Sequence, residues 1–450
     1  MKRETIIEIV IVIALSISLL LLSWLSGNIG FLLFILLYLA IFMVFSVWIS
    51  DDGSDYIFLV KSFIAISNIS LLIVWHHQVN FGVPFDTYGD DLRYFEWARL
   101  SARDILLPTY SFYEKMLGLI LNMTRFFGIK DAVYQLLPLN IISACLCLHY
   151  SRKLAFLITG IKLKAILIYG TVFFNYTFLN NSIHLYRDVH IALFTLIFLC
   201  YFVDGKVKNN FLILTALFRL PNAIILISTV VVNKLLSKKL NNIIFGVFGV
   251  ISLAVIFSLS IKFGLNIGTK YDLSSAPEMV IEHIDHFSSS AIEAGGLMSI
   301  VHQLPFVIKL FLNNFIQVIR PLSINPFYQY FEQAYINPTL DHRALGWAIT
   351  SFTLILFASR YIAGVIVLVQ KFKESKISKI AIYFIIMTFV IGFMSFLDRH
   401  RIYIIILYPT LVALSMRYDG ITLINNASYR VGIGALFFVI FIFGMIKQVL

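Results

Sequence analysis

A handful of polar stretches hold the side chains that could do chemistry in this chain. Residues 86–104 carry five carboxylates, among them Asp91 and Glu96. In residues 180–190, Arg187 and Asp188 are adjacent and His184 and His190 stand on either side. Arg219 lies two residues before Pro221, inside an otherwise apolar run. Near the end come Asp398, Arg399, His400 and Arg401 in succession. Arginine stays charged and grips phosphate with paired donors. A carboxylate or an imidazole can take a proton from an attacking hydroxyl. Arg187, Arg219, Arg399 and Arg401, with Arg320 in the segment 264–342, are therefore candidates to hold a phosphorylated group. Asp91 or Glu96 is the candidate base, with His190 and His400 in reserve.

Each feature also has a quieter reading. Arg187 and Asp188 could be a local pair that caps the following helix. Asp90 and Asp91 could bind a metal, act as a base or form an ordinary solvated turn. The run 398–401 could be a turn at the membrane surface. Arg219 resists such a reading, because an ionisable residue at membrane depth is costly unless solvated, paired or used. His283, His286 and His302 show no metal-ligand spacing on one helix face. Cys145, Cys147 and Cys200 sit in apolar runs and read as small core residues. No cofactor is implied. His76 and His77, with Trp75 and Trp97, fit headgroup depth.

The elements that must position these residues are membrane helices. The 450 residues are 60% hydrophobic and 13% charged, with a mean hydropathy of +0.89. Soluble domains carry about twice that share of charge, roughly 25%. Several nearly uncharged runs reach the roughly 20 residues that cross a hydrocarbon core. The short alternating segments of a β-barrel are absent from this pattern. The sequence therefore predicts an all-α, polytopic transmembrane bundle of about 11–13 spans. It forms one integral membrane domain over residues 1–450, with outer-face loops at about 76–130 and 264–342 carrying short amphipathic helices. The net charge of +11 marks cytoplasmic loops, not a nucleic-acid partner.

Charge sets the order of spans. Lys2 and Arg3 start inside, and the first apolar run lacks a cleavage site, so it is read as a retained helix. Spans over 6–25, 29–49 and 57–75 lead outside. An interfacial helix over 111–127 has Glu114 and Lys115 at its start and Arg125 near its end. A span over 132–149 returns to Arg152, Lys153, Lys162 and Lys164. Spans over 165–179 and 189–203 go out and back. The run 211–233, broken at Arg219 and Pro221, is predicted as a helical hairpin, since proline removes a donor and breaks a helix. Further spans are expected at 242–262, 344–369, 380–396, 402–416 and 431–447. This parity puts the polar stretches together on the outer face. Outside a bacterial inner membrane, activated sugars ride on polyprenyl phosphates. Arginines that stabilise a departing pyrophosphate, beside a carboxylate, suggest glycosyl transfer from a lipid carrier.

The order of these features resembles the bacterial O-antigen and exopolysaccharide polymerases. Asp91-Leu92-Arg93-Tyr94 fits the Asp-x-x-Tyr-like element of their outer loop. Glu114 opens a helix, Arg187 heads the stretch Arg187-Asp188-Val189-His190-Ile191-Ala192, and Arg399-His400-Arg401-Ile402-Tyr403 supplies an arginine-rich turn. Phe218-Arg219-Leu220-Pro221 stands where that family often has a polar residue. The resemblance implies a hexosyltransferase of lipopolysaccharide biosynthesis in the inner membrane, its active site facing the periplasm. Its substrate would be an undecaprenyl-pyrophosphate-linked oligosaccharide, with Tyr94 and Tyr403 as added binding residues. Membrane lipids and a chain-length regulator protein would be its partners. GT-C glycosyltransferases using a polyprenyl-phosphate sugar are similar too, compare Arg401, Tyr403 and Pro409. Here two extra spans precede the acidic loop, and no large C-terminal soluble domain follows. A lipid-linked oligosaccharide flippase is the alternative of another class. It would also want arginines in a cavity, but not long outer loops.

Overall fold

The computed structural model describes residues 3–84, 90–104, 111–237, 342–394 and 398–418. Among the described residues every regular element is helical. The first three are α1 (Arg3–Leu25), α2 (Ile29–Ile49) and α3 (Gly53–Phe81), followed by the short α4 (Asp90–Ser101) and α5 (Phe112–Phe126). Then come α6 (Leu137–Thr159), α7 (Ala165–Ile168), α8 (Tyr176–Ile183), α9 (Asp188–Val203), α10 (Asn209–Phe218) and α11 (Leu220–Ser237). The later helices are α12 (His342–Gln370), α13 (Ser375–Met394), α14 (Ile402–Ile405) and α15 (Tyr408–Arg417).

Among the described residues, five helices are long and apolar enough to cross a membrane: Ile6–Leu25, Ile29–Ile49, Gly53–Asn80, Val133–Thr159 and Leu345–Gln370. A backbone that satisfies its own hydrogen bonds along each segment is what a bilayer demands. This is the architecture of a helical membrane protein. The bent pair α8 and α9 counts as a sixth span if taken together, and three shorter apolar helices are Asn209–Phe218, Leu220–Leu236 and Ile402–Arg417. The spans expected at 242–262 and 431–447, most of the outer loop 264–342 with Arg320, and the side chain of Arg399 lie outside the described residues. α1 and α2 leave large apolar side chains bare, Trp24 at 73% and Trp48 at 86% exposure. Such a face suits lipid. Inward, Asn68 Nδ2 of α3 reaches Leu15 O at 3.0 Å, Gln78 and Asn28 exchange amide hydrogen bonds, and Lys61 pairs with Glu8.

Several boundaries differ from the expected ones, and the span expected over 165–179 is broken at Phe174 and Asn175. α3 runs on to Phe81 and stops at Gly82, whose φ of 70° gives the left-handed turn that ends a helix. His77 therefore sits in a helix and is 1% exposed. α6 continues to Thr159, so Arg152 and Lys153 ride on its last turns. The helix predicted over 111–127 is present as α5. Ser111 and Glu114 form a reciprocal capping box at its start. It packs closely on α4, where Gly118 leaves no room for a Cβ: one would lie 2.3 Å from Ser101 Oγ.

The helices share two chemically distinct ends. At one end Arg152 pairs with Asp55 at 2.9 Å, Lys153 with Asp51 at 3.2 Å and Lys162 with Asp52 at 2.6 Å. There too, Lys379 Nζ donates to Phe202 O at 2.8 Å and Arg417 Nη1 to Ile158 O at 2.8 Å. This basic end holds the start of α3 and of α13 and the C-termini of α6, α9 and α15. The opposite end holds the start of α6 and of α9, the break between α10 and α11, and the 3₁₀ turn Asp398–Arg401.

Candidate functional site

The site is built on two interruptions in apolar segments. The first begins after α7, which passes into a π turn, Tyr169–Phe173, and stops at Phe174. Asn175 restarts the helix by accepting Thr177 N at 3.1 Å, and Thr350 of α12 accepts Tyr176 N at 2.6 Å. α8 then ends, and the chain turns by 112° into α9. The connecting residues 184–187 have backbone groups that neither helix can satisfy. Asn140 of α6 supplies donors, its Nδ2 reaching His184 O at 2.5 Å and Tyr186 O at 2.9 Å. Asp91, in the first turn of α4, supplies acceptors. Its Oδ1 takes Leu185 N at 2.6 Å, and its Oδ2 meets His184 Nδ1. Both Asp91 and Asn140 are buried.

The second interruption is at Arg219, whose extended backbone (φ −163°, ψ 103°) separates α10 from α11. Pro221 falls in the first turn of α11, where its missing N–H costs nothing. The predicted break is thus present, and it carries the arginine. Arg219 Nη1 donates to Asp188 Oδ1 at 3.0 Å. It also lies 2.7 Å from His400 Nε2. Arginine has no acceptor, so Nε2 of His400 accepts this bond. Tyr403 Oη donates to the same Asp188 oxygen at 2.6 Å. Asp188 is 2% exposed and opens α9, where the helix dipole favours a negative charge. Arg187, one residue earlier, points its Nη1 to Phe218 O at 3.4 Å, at the end of α10. Its guanidinium is half-buried and makes no other hydrogen bond among the described residues. Asp188 therefore holds Arg219, not its neighbour Arg187 as a local capping pair would require.

Arg187, Arg219, His400 and Tyr403 thus meet around Asp188, although residues 187 and 403 are far apart in sequence. His190 lies one layer deeper, with Nε2 3.0 Å from Asn140 Oδ1 and Nδ1 2.7 Å from Ser143 Oγ. The amide nitrogen of Asn140 is committed to carbonyls. Its oxygen must therefore accept from Nε2, and Nδ1 accepts from Ser143. Both nitrogens of His190 are occupied. Tyr113 Oη, 3.3 Å from Asn140 Oδ1, ties α5 to the same network. Tyr94 packs edge-on against Tyr113 at 5.3 Å, beneath the Arg93 guanidinium. Burial raises the Tyr94 phenol above its ordinary value near 10. Arg401 is buried in the 3₁₀ turn next to His400. Glu96 is exposed on α4, on the side away from the buried Asp91, Tyr94 and Ala98.

Two residues of this site had no role assigned from sequence, and Asp188 was read only as a local partner of Arg187. Asn140 is one, a lone amide in an apolar span, and such residues commonly tie membrane helices together. His184 is the other, lost among the polar residues of 180–190. Among the described residues no three His, Cys, Asp or Glu side chains converge as metal ligands do. Comparison with family models, curated proteins and solved structures returns no match.

Proposed function

We propose that the protein is a glycan polymerase of the bacterial inner membrane. It would move a growing polysaccharide from undecaprenyl pyrophosphate to a hydroxyl of a lipid-linked repeat unit. The carrying observation is the meeting of Arg187 and Arg219 at two helix interruptions, around the buried Asp188. Two guanidiniums at one point suit a pyrophosphate, whose negative charge grows as the glycosidic bond breaks. Asp188, His400 and Tyr403 set the direction of Arg219 beforehand, so little reorganisation is needed when charge develops. Orientation supports the same reading. Lys and Arg gather on cytoplasmic faces, and the arginine cluster stands at the end of the bundle opposite the basic one. That end would face the periplasm, where lipid-linked sugars are the available donors.

The test is the polysaccharide ladder made by cells whose only copy of the chain is altered. Arg187→Ala and Arg219→Ala are expected to reduce the ladder to single repeat units while the protein stays in the membrane. Full-length ladders in both variants overturn the assignment.

A further inference from the structure

We infer that His184 is the general base of this reaction, with Asp91 as the residue that positions it; this rests on the glycan-transfer reading above. The four residues expected from sequence to take a proton are otherwise engaged or turned away. Both oxygens of Asp91 are used, one by Leu185 N and one by His184 Nδ1. Glu96 faces away on α4. Both nitrogens of His190 are bonded. His400 Nε2 accepts from Arg219. His184 is different. The Asp91 carboxylate fixes its ring and draws the ring proton to Nδ1, which leaves the lone pair on Nε2. That nitrogen makes no hydrogen bond among the described residues, and the His184 side chain keeps 4% of its exposure. A buried carboxylate, locked by a backbone N–H and aimed at one imidazole nitrogen, is more than a histidine at rest needs. It also offsets the charge an imidazolium would carry.

Placement agrees with the role. His184 is three residues before Arg187, at most about 11 Å along the chain. Asp91 and Asp188 both act electrostatically on Tyr113 and Tyr186, so the two carboxylates share one neighbourhood. Asn140 holds the His184 and Tyr186 carbonyls and keeps the bend rigid. In the step, the acceptor hydroxyl oxygen bonds to the anomeric carbon of the donor glycan as the carbon–oxygen bond to pyrophosphate breaks. The departing pyrophosphate keeps the electron pair and is held by Arg187 and Arg219. The hydroxyl proton passes to His184 Nε2 and later to water.

His184→Asn tests this, because the asparagine amide can still donate to Asp91 while the base is gone. Two readouts apply: the polysaccharide ladder in cells, and undecaprenyl pyrophosphate binding to the full-length protein in nanodiscs. The expected result is a loss of polymerisation of roughly 10²–10⁴-fold, the usual worth of a general base, with binding unchanged. Membranes from His184→Ala cells are expected to regain polymerisation when free imidazole is added. Asp91→Asn should add no further loss to His184→Asn, as for groups acting as a unit. Wild-type ladders in His184→Asn, or no imidazole rescue of His184→Ala, overturn the base. Additive losses overturn the positioning role of Asp91. Failure of the underlying reading looks different: Arg187→Ala and Arg219→Ala proteins would then bind undecaprenyl pyrophosphate as the unaltered protein does.

Discussion

Asp188 holds the arginine cluster together. One of its oxygens accepts from both Arg219 and Tyr403, and it has almost no solvent to fall back on. Removing one member of a buried ion pair strands the other. Asp188→Ala should therefore cost about 3 kcal/mol of stability, the lower part of the range for such losses, because Arg219 keeps 25% side-chain exposure. Tyr403→Phe removes a hydrogen bond to a charged group and should cost about 1.5–3 kcal/mol. Thermal unfolding of the detergent-solubilised protein measures both. Away from the spans, Arg125 bonds Asp131 and holds its carboxyl below the ordinary value near 3.8. The native state therefore binds that proton less readily than the unfolded chain. This contribution is complete above the ordinary value and is lost as pH falls through the lower native one. Acid unfolding followed with Asp131→Asn should show a smaller loss of stability in that window.

Among the elements, the bend between α8 and α9 and the break between α10 and α11 do the positioning. A continuous helix would spread 180–190 around its circumference. The 112° bend instead presents Arg187 and Asp188 at the mouth of α9. Such a bend persists only if its backbone groups find partners. Asn140→Leu removes donors from two close carbonyls and should cost about 1–3 kcal/mol for each left unsatisfied. Hydrogen exchange is expected to accelerate at residues 184–187 in that variant while the basic end of α6 is unchanged. An unaltered exchange pattern would show that water replaces Asn140 at no penalty.

Across the whole molecule, the two ends of the bundle differ in the charged groups they gather. The proposed orientation places Lys153 inside the cell and Glu96 outside. Cys145, Cys147 and Cys200 are buried, so a new surface cysteine can be labelled with little background. Glu96→Cys should react with a membrane-impermeant maleimide in cells with a permeabilised outer membrane, and Lys153→Cys only after lysis. The reverse pattern would put the arginine cluster in the cytoplasm and remove the case for a lipid-linked donor.

The sequence alone determined the class, because apolar run length and charge scarcity answer directly to bilayer thickness and to the cost of desolvation. It also located the break at Arg219 and Pro221, since proline acts on its own backbone, and a helix with Glu114 at its start. It marked Arg187, Arg219 and His400 as residues of interest, because charge and polarity beside apolar runs are rare. Tertiary structure alone decided their pairings. Asp188 and Arg219 are 31 residues apart and Asp188 and Tyr403 are 215 apart. No local rule selects such partners, because they follow from how bent helices pack. The roles of Asn140, Asp91 and His184 were hidden for the same reason. Each answers to a backbone group or ring brought beside it by a turn of the chain that the hydropathy pattern does not record.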